Sequence, residues 1–248
     1  MAKVGAKSMN ALVVVPAYNE EGNIRKVLEE LLRVQKDFDI AVINDGSWDD
    51  TGRLAEQFPV RVLFHPCNLG YGAALQSGFR YAERNGYTHL VQFDADGQHR
   101  PQDIATVLNA LTATDAEVVL GSRFLGDGNL RLGQAKMLAI GIFRLLIRVF
   151  TGARVTDPTS GLRGLSRNVF AYYAVKDRFP NDFPDANVVL EMLLRKIRIR
   201  EVPVGNRTRE QGNSMHAGFG PILYMFTIML SILVVLLNFL LSDGGRRA

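Results

Sequence analysis

The chain has 248 residues, 47% of them hydrophobic, with 29 Lys and Arg against 25 Asp and Glu and a single cysteine. This length suits one large α/β domain or two small ones, and the apolar content is enough for a sizeable core. The net charge of +4 gives little reason to expect a nucleic-acid partner and fits phosphate-bearing ligands or an anionic membrane surface, while the lone Cys67 excludes an internal disulfide and fits a reducing compartment.

Residues 1–10 carry Lys3 and Lys7 but no apolar run, so a disordered start without a secretory signal is expected. The β-branched run 12–15 reads as a central strand that stops at Pro16 and enters a loop through Tyr18, Asn19, Glu20 and Glu21. Ile24, Val27, Leu28, Leu31 and Leu32 then recur at helical spacing. A second strand, 40–43, ends at Asn44-Asp45-Gly46-Ser47, and Asp49, Asp50 and Thr51 offer N-caps for a short helix. A third strand, 60–64, leads through Asn68-Leu69-Gly70-Tyr71-Gly72 to a helix ending near Asn85. Strand 88–93, helix 101–111 and strand 118–120 follow. Strands alternating with helices imply an α/β fold with a largely parallel sheet and helices on both faces.

The chemistry concentrates at the end of the strand at 88–93. Asp94 and Asp96 straddle Ala95, so in extended chain both carboxylates lie on one side, within reach of one hard divalent cation. In open α/β sheets the carboxyl ends of the strands are where ligands bind, and Asp45 belongs to the same edge. Gly70-x-Gly72 is a rival signal, because a glycine-rich turn can cradle a dinucleotide pyrophosphate. It is incomplete: Leu75 stands at the third glycine and the unit is not the first strand.

Five segments in order, Val15-Pro16-Ala17-Tyr18-Asn19-Glu20-Glu21, Ile43-Asn44-Asp45-Gly46-Ser47, Asn68-Leu69-Gly70-Tyr71-Gly72-Ala73, Asp94-Ala95-Asp96-Gly97-Gln98-His99 and Gly121-Ser122-Arg123-Phe124, resemble family 2 glycosyltransferases of GT-A fold. With the later Thr156-Asp157-Pro158-Thr159-Ser160-Gly161-Leu162-Arg163, the chain looks like the dolichol-phosphate mannosyltransferase and bacterial polyprenyl-phosphate branch, over residues 11–215. The resemblance implies an inverting hexosyltransferase. Pro16, Tyr18, Glu20, Asp45, Asp94 and Ala95 would line the site of the nucleotide-diphosphate sugar. Asp94, Asp96 and Gln98 would hold Mg²⁺ or Mn²⁺, and Arg123, Arg163 and Arg207 would face the acceptor phosphate, with Asp96, Arg123 and Arg163 closest to the chemistry. It also implies a catalytic domain on the cytosolic side, where nucleotide sugars are found. Members that act on sugar hydroxyls often carry an acidic pair before a helix, where this chain has Phe183-Pro184-Asp185-Ala186-Asn187. A polyprenyl phosphate acceptor is therefore favoured over a saccharide hydroxyl, the alternative within the family.

Two segments point to a membrane. Residues 134–150 are apolar with Lys136, Arg144 and Arg148 interspersed, which describes either an interfacial helix or a core helix whose cations reach solvent. Residues 221–241 contain no charge, and at about 1.5 Å per residue a helix of that length matches a hydrocarbon core, so one transmembrane helix is expected, followed by a polar tail at 242–248. Thr227, Ser231 and Asn238 offer that helix a contact with a membrane partner or a second copy.

Overall fold

The structure, a computed structural model, describes residues 10–126, 133–181, 183–205, 207 and 220–244. Most of the expected disordered start, most of the basic loop after Arg207 and the end of the C-terminal tail lie outside the described residues.

The β-branched run at the start of the chain forms β1 (Ala11–Ala17), which is buried along its whole length. It pairs in parallel with β2 (Phe38–Asn44) on one side and β4 (His89–Gln92) on the other. With β3 (Arg61–Phe64), β5 (Val118–Ser122), β6 (Arg163–Ser166) and β7 (Ile199–Pro203) these make one sheet of order β3-β2-β1-β4-β6-β5-β7. β6 alone runs antiparallel to its neighbours β4 and β5. The α/β, mostly parallel architecture matches the expectation from the alternating pattern.

The period of two along β1 divides the core. Val13 and Val15 join Ile24, Val27, Leu28 and Leu31 of α1 (Ile24–Val34) and Ile104, Val107 and Leu108 of α4 (Asp103–Ala113). Leu12 and Val14 join Leu75 and Phe79 of α3 (Tyr71–Arg84) and Val169, Phe170 and Tyr173 of α6 (Arg167–Ala174) on the other face. Each such side chain, fully buried, contributes about 1.5–3 kcal/mol of transfer free energy. The short helix after β2 is α2 (Thr51–Ala55), where the Asp49 carboxylate accepts the Thr51 N–H at 3.0 Å.

β6 and α6 are not legible in the sequence pattern. Arg163-Gly164-Leu165-Ser166 has one large apolar residue, and the strand exists because β4 and β5 pair with it from both sides. Gly164 is needed there for close approach, since a methyl group would meet the side chains of Val107 and Leu111.

The two membrane candidates do form helices, α5 (Gln134–Thr151) and α8 (Gly220–Gly244). Ala139, Ile140, Phe143 and Ile147 of α5 are buried at helical spacing, while Leu138, Leu145 and Val149 are exposed. In α8, Ile228 and Ile232 enter the core cluster that includes α7 (Ala186–Leu194). Among the described residues no helix is long and apolar enough to cross a membrane. No span is found at 221–241 among the described residues, where Ile228 and Ile232 place one face of the uncharged run on the domain. Apolar side chains are exposed elsewhere along it, including Leu230, Leu233, Val234, Leu237 and Leu241.

Candidate active site

Parallel pairing brings the loops that follow β1, β2, β4, β5 and β7 to one edge of the sheet. Ala17 pairs with Asn44, Val14 with Gln92 and Ser122 with Pro203. The antiparallel β6 completes the arrangement, because it starts at this edge, with Arg163 opposite both Gln92 and Leu120. The strand missed by sequence reasoning is therefore the one that delivers segment 156–163 to the acid pair.

The loops after β1 and β2 are stitched to each other. Asn19 N–H donates to Ser47 Oγ at 3.0 Å, Glu20 N–H to Thr51 Oγ1 at 2.7 Å, and Trp48 N–H to Asn19 Oδ1 at 3.1 Å. Asn19 adopts the left-handed region, φ 54, to make these bonds. Pro16 is buried in β1, Tyr18 is 43% exposed, and the Glu20 carboxylate accepts from the Asn23 amide at 2.6 Å. Asp45 is buried: its oxygens accept the N–H groups of Leu69 and Gly70 at 2.9 and 3.0 Å, and His65 Nδ1 lies 2.6 Å from Oδ1.

At the end of β4, Asp94 accepts a hydrogen bond from the Tyr71 hydroxyl at 2.7 Å and lies 3.2 Å from His99 Nε2. Burial is the largest influence on the Asp94 carboxyl and pushes its pKa up, but the hydrogen bonds from His99 and Tyr71 and the charges of His99 and Arg163 outweigh it, and the group stays below the usual range. Asp94 is held ionised. Ala95 is buried, and Asp96 accepts from the Gln98 N–H at 3.0 Å and its side-chain amide at 2.6 Å. A small pocket beside Asp96 is lined by Asn23, Lys26, Glu30 and Arg207.

Asp94, Asp96 and Gln98 together offer oxygen donors, the chemistry that suits Mg²⁺ or Mn²⁺. Among the described residues no group of three or more His, Cys, Asp or Glu side chains forms a metal cage. An ion that keeps waters and substrate phosphates as ligands needs only one or two carboxylates from the protein. The donor set fits such an ion.

All three arginines expected at the acceptor phosphate are braced by protein acceptors. Arg123, 8% exposed, grips Asp157, 0% exposed, through Nε at 2.7 Å and Nη2 at 2.8 Å, and reaches Thr159 Oγ1 at 2.9 Å. Asp157 is aimed by Glu201 of β7, which accepts the N–H groups of Thr156 and Asp157 at 2.7 and 2.8 Å. Arg163 donates to the carbonyls of Ser160 and Pro184 at 2.7 and 3.2 Å and lies 3.5 Å from Asp185. Arg207 is closest to the acid loop: its N–H donates to the Gln98 carbonyl at 2.9 Å and its guanidinium pairs with Glu30 at 2.6 Å. Lys136 stands in the first turn of α5, and burial, followed by the Arg123 charge, lowers its pKa.

The glycine-rich turn is closed to a pyrophosphate. Asp45 occupies the N–H groups of Leu69 and Gly70, and the Asn181 carbonyl occupies those of Gly72 and Ala73 at 2.8 and 3.3 Å. Tyr71, His99, Asp157 and Glu201 escaped the sequence reading as site-building residues. His99, adjoining Gln98, and Tyr71, between two glycines, were the only local signals.

A family model described as glycosyl transferase family 2 matches residues 12–173. The polyprenol monophosphomannose synthase of Mycolicibacterium smegmatis is 30% identical over 222 residues, 85% of this chain and 82% of that protein. The undecaprenyl-phosphate mannosyltransferase of Micrococcus luteus is 30% identical over 220 residues, covering 85% of this chain and 88% of its own length. Glucosyl-3-phosphoglycerate synthase from Mycobacterium tuberculosis, in a crystal structure with Mn²⁺ and UDP-glucose, shares the fold at a TM-score of 0.68 and 21% identity, over 90% of this chain and 79% of that one. The architecture is thus GT-A-like, and the chain belongs to glycosyl transferase family 2.

Proposed function

We propose that the protein is an inverting glycosyltransferase that moves one sugar from a nucleotide-diphosphate donor to a polyprenyl phosphate. The observation that carries this reading is the placement of Asp94 and Asp96 just past β4, beside the stitched loops of β1 and β2. The names of the two mannosyl-transferring relatives supply the acceptor class. The loops carrying Pro16, Tyr18, Glu20 and Asp45 hold the nucleotide, and Asp94, Asp96 and Gln98 would hold Mg²⁺ or Mn²⁺. When bound, the ion supplies Lewis acidity and positive charge for the leaving diphosphate.

An acceptor phosphate oxygen attacks the anomeric carbon from the face opposite the diphosphate, the bond to the diphosphate oxygen breaks, and its electron pair leaves with the nucleotide. One displacement inverts the centre. The positive field of Arg123, Arg163, Arg207 and Lys136 holds the acceptor anion in place. No protein base is required, because a phosphate monoester with a second pKa near ~6 is already a nucleophile at neutral pH. Asp185→Asn and Glu191→Gln are accordingly expected to keep turnover within about tenfold of the parent, measured at saturating acceptor, whereas loss of a general base costs roughly 10²–10⁴-fold. A loss on that larger scale, with acceptor binding unchanged, would favour a hydroxyl acceptor.

Membrane contact belongs to the same reading. The exposed apolar residues of α5 and α8 would lie against the lipid surface that holds the acceptor, with Arg148 of α5 exposed to anionic headgroups. Arg144 is unavailable for this, since it stacks on Phe124 at 4.2 Å and donates to the Thr156 carbonyl at 2.7 Å. Leu145→Glu combined with Val149→Glu is expected to weaken co-sedimentation with anionic vesicles by an order of magnitude or more, as two buried side chains each contribute about 1.5–3 kcal/mol. Unchanged sedimentation would refute α5 as the contact.

A further inference from the structure

Asp94 is gripped on both oxygens, by the Tyr71 hydroxyl at Oδ1 and by His99 Nε2 at Oδ2. The main chain of Gly161 packs against Oδ2, since a methyl group there would overlap it, while the Asp94 side chain keeps 24% of its surface exposed. Tyr71 opens α3, and the two residues before it, Leu69 and Gly70, are the ones whose N–H groups are held by Asp45. Asp45 is itself steadied by His65, whose Nε2 meets Ser77 Oγ at 2.8 Å farther along α3. Three consecutive residues, 69–71, therefore join the acid that follows β2 to the acid that follows β4.

We propose that Tyr71 is a positioning residue that couples the nucleotide loop to the metal loop, so that a divalent cation and a nucleoside diphosphate bind cooperatively through the Tyr71–Asp94 hydrogen bond. The inference rests on the function proposed above and adds a residue and a linkage to it. An unrestrained aspartate must give up side-chain rotamers when it binds an ion, whereas Asp94 is already fixed by its partners. Burial, followed by the Asp94 charge, raises the Tyr71 pKa well above its ordinary value, so the phenol remains a donor. Because Asp45 holds the N–H groups of Leu69 and Gly70, the position of its loop sets the origin of the Tyr71 side chain.

Tyr71→Phe deletes one oxygen and keeps the ring. Mn²⁺ binding to the full chain, read from loss of the free-ion EPR signal with and without UDP or GDP, is expected to be strengthened by one of the two nucleotides in the parent. In Tyr71→Phe the Mn²⁺ affinity with that nucleotide should fall roughly 10–100-fold, the range for loss of an outer-shell partner, and the enhancement should largely disappear while the thermal midpoint is retained. Gly161→Ala should reproduce the loss by displacing Asp94 from the opposite side. A folded Tyr71→Phe or Gly161→Ala protein whose Mn²⁺ affinity and nucleotide enhancement stay within about twofold of the parent overturns the inference and leaves the metal reading standing. A parent chain that binds no Mn²⁺ with either nucleotide overturns both.

Discussion

Asp96→Asn is expected to reduce sugar transfer by about 10³-fold or more, near 4 kcal/mol of transition-state stabilisation, with the thermal midpoint unchanged. The side chain follows β4, half-buried, and accepts from the N–H and side-chain amide of Gln98. No core packing depends on it. What the substitution removes is the negative charge that would hold a cation against the leaving diphosphate, and the neutral amide keeps the volume. Assays at rising Mg²⁺ and Mn²⁺ separate weakened ion affinity from lost chemistry. Substantial turnover in the variant at saturating ion would contradict the role given to Asp96.

The second large effect is on stability. Asp157→Asn is expected to cost roughly 3–5 kcal/mol, because it leaves the Arg123 guanidinium buried without its counter-charge. For a chain of this size that corresponds to a fall of about 10 °C in the midpoint. The pair is 8% and 0% exposed, and Asp157 is further tied by Thr159. Burial is the strongest influence on the Asp157 carboxyl and raises its pKa, but the hydrogen bonds and charge of Arg123 prevail and hold it below the usual range. The folded value is thus depressed relative to the unfolded value of about 3.9, so the stabilisation is fully present above that pH and is lost as pH falls through the folded value. The gap in stability between parent and variant should accordingly narrow in acid, below about pH 4. Chemical denaturation of both proteins at several pH values measures it, and an equal midpoint at neutral pH would show that the pair is dispensable.

These two residues mark how far the sequence could be read. Asp96 was legible because its chemistry is local: two carboxylates at a spacing of two, at the end of an apolar run. Asp157 was legible only as part of a family-like segment, since its partner lies 34 residues away and no pattern announces a buried pair. The strands β1 to β5 and the helices α1, α3 and α4 follow from periodicity and turn residues. β6 does not, because Arg163-Gly164-Leu165-Ser166 becomes a strand through pairing with β4 and β5 rather than through its own propensity. In α8 the length and lack of charge are legible, while Ile228 and Ile232, which dock it on the domain, look like every other apolar residue in it. Tyr71 and His99 escaped for the same reason as Asp157, since each meets Asp94 only once the sheet has formed.

The central claim is the identity of the acceptor. Purified full-length protein, supplied with labelled UDP- and GDP-sugars, a divalent ion, and either a short polyprenyl phosphate or an oligosaccharide, separates the two readings in one assay. Label is expected in an organic-extractable polyprenyl phosphosugar of inverted anomeric configuration, released by mild acid, with no transfer to the oligosaccharide. Label appearing only in the oligosaccharide would contradict it.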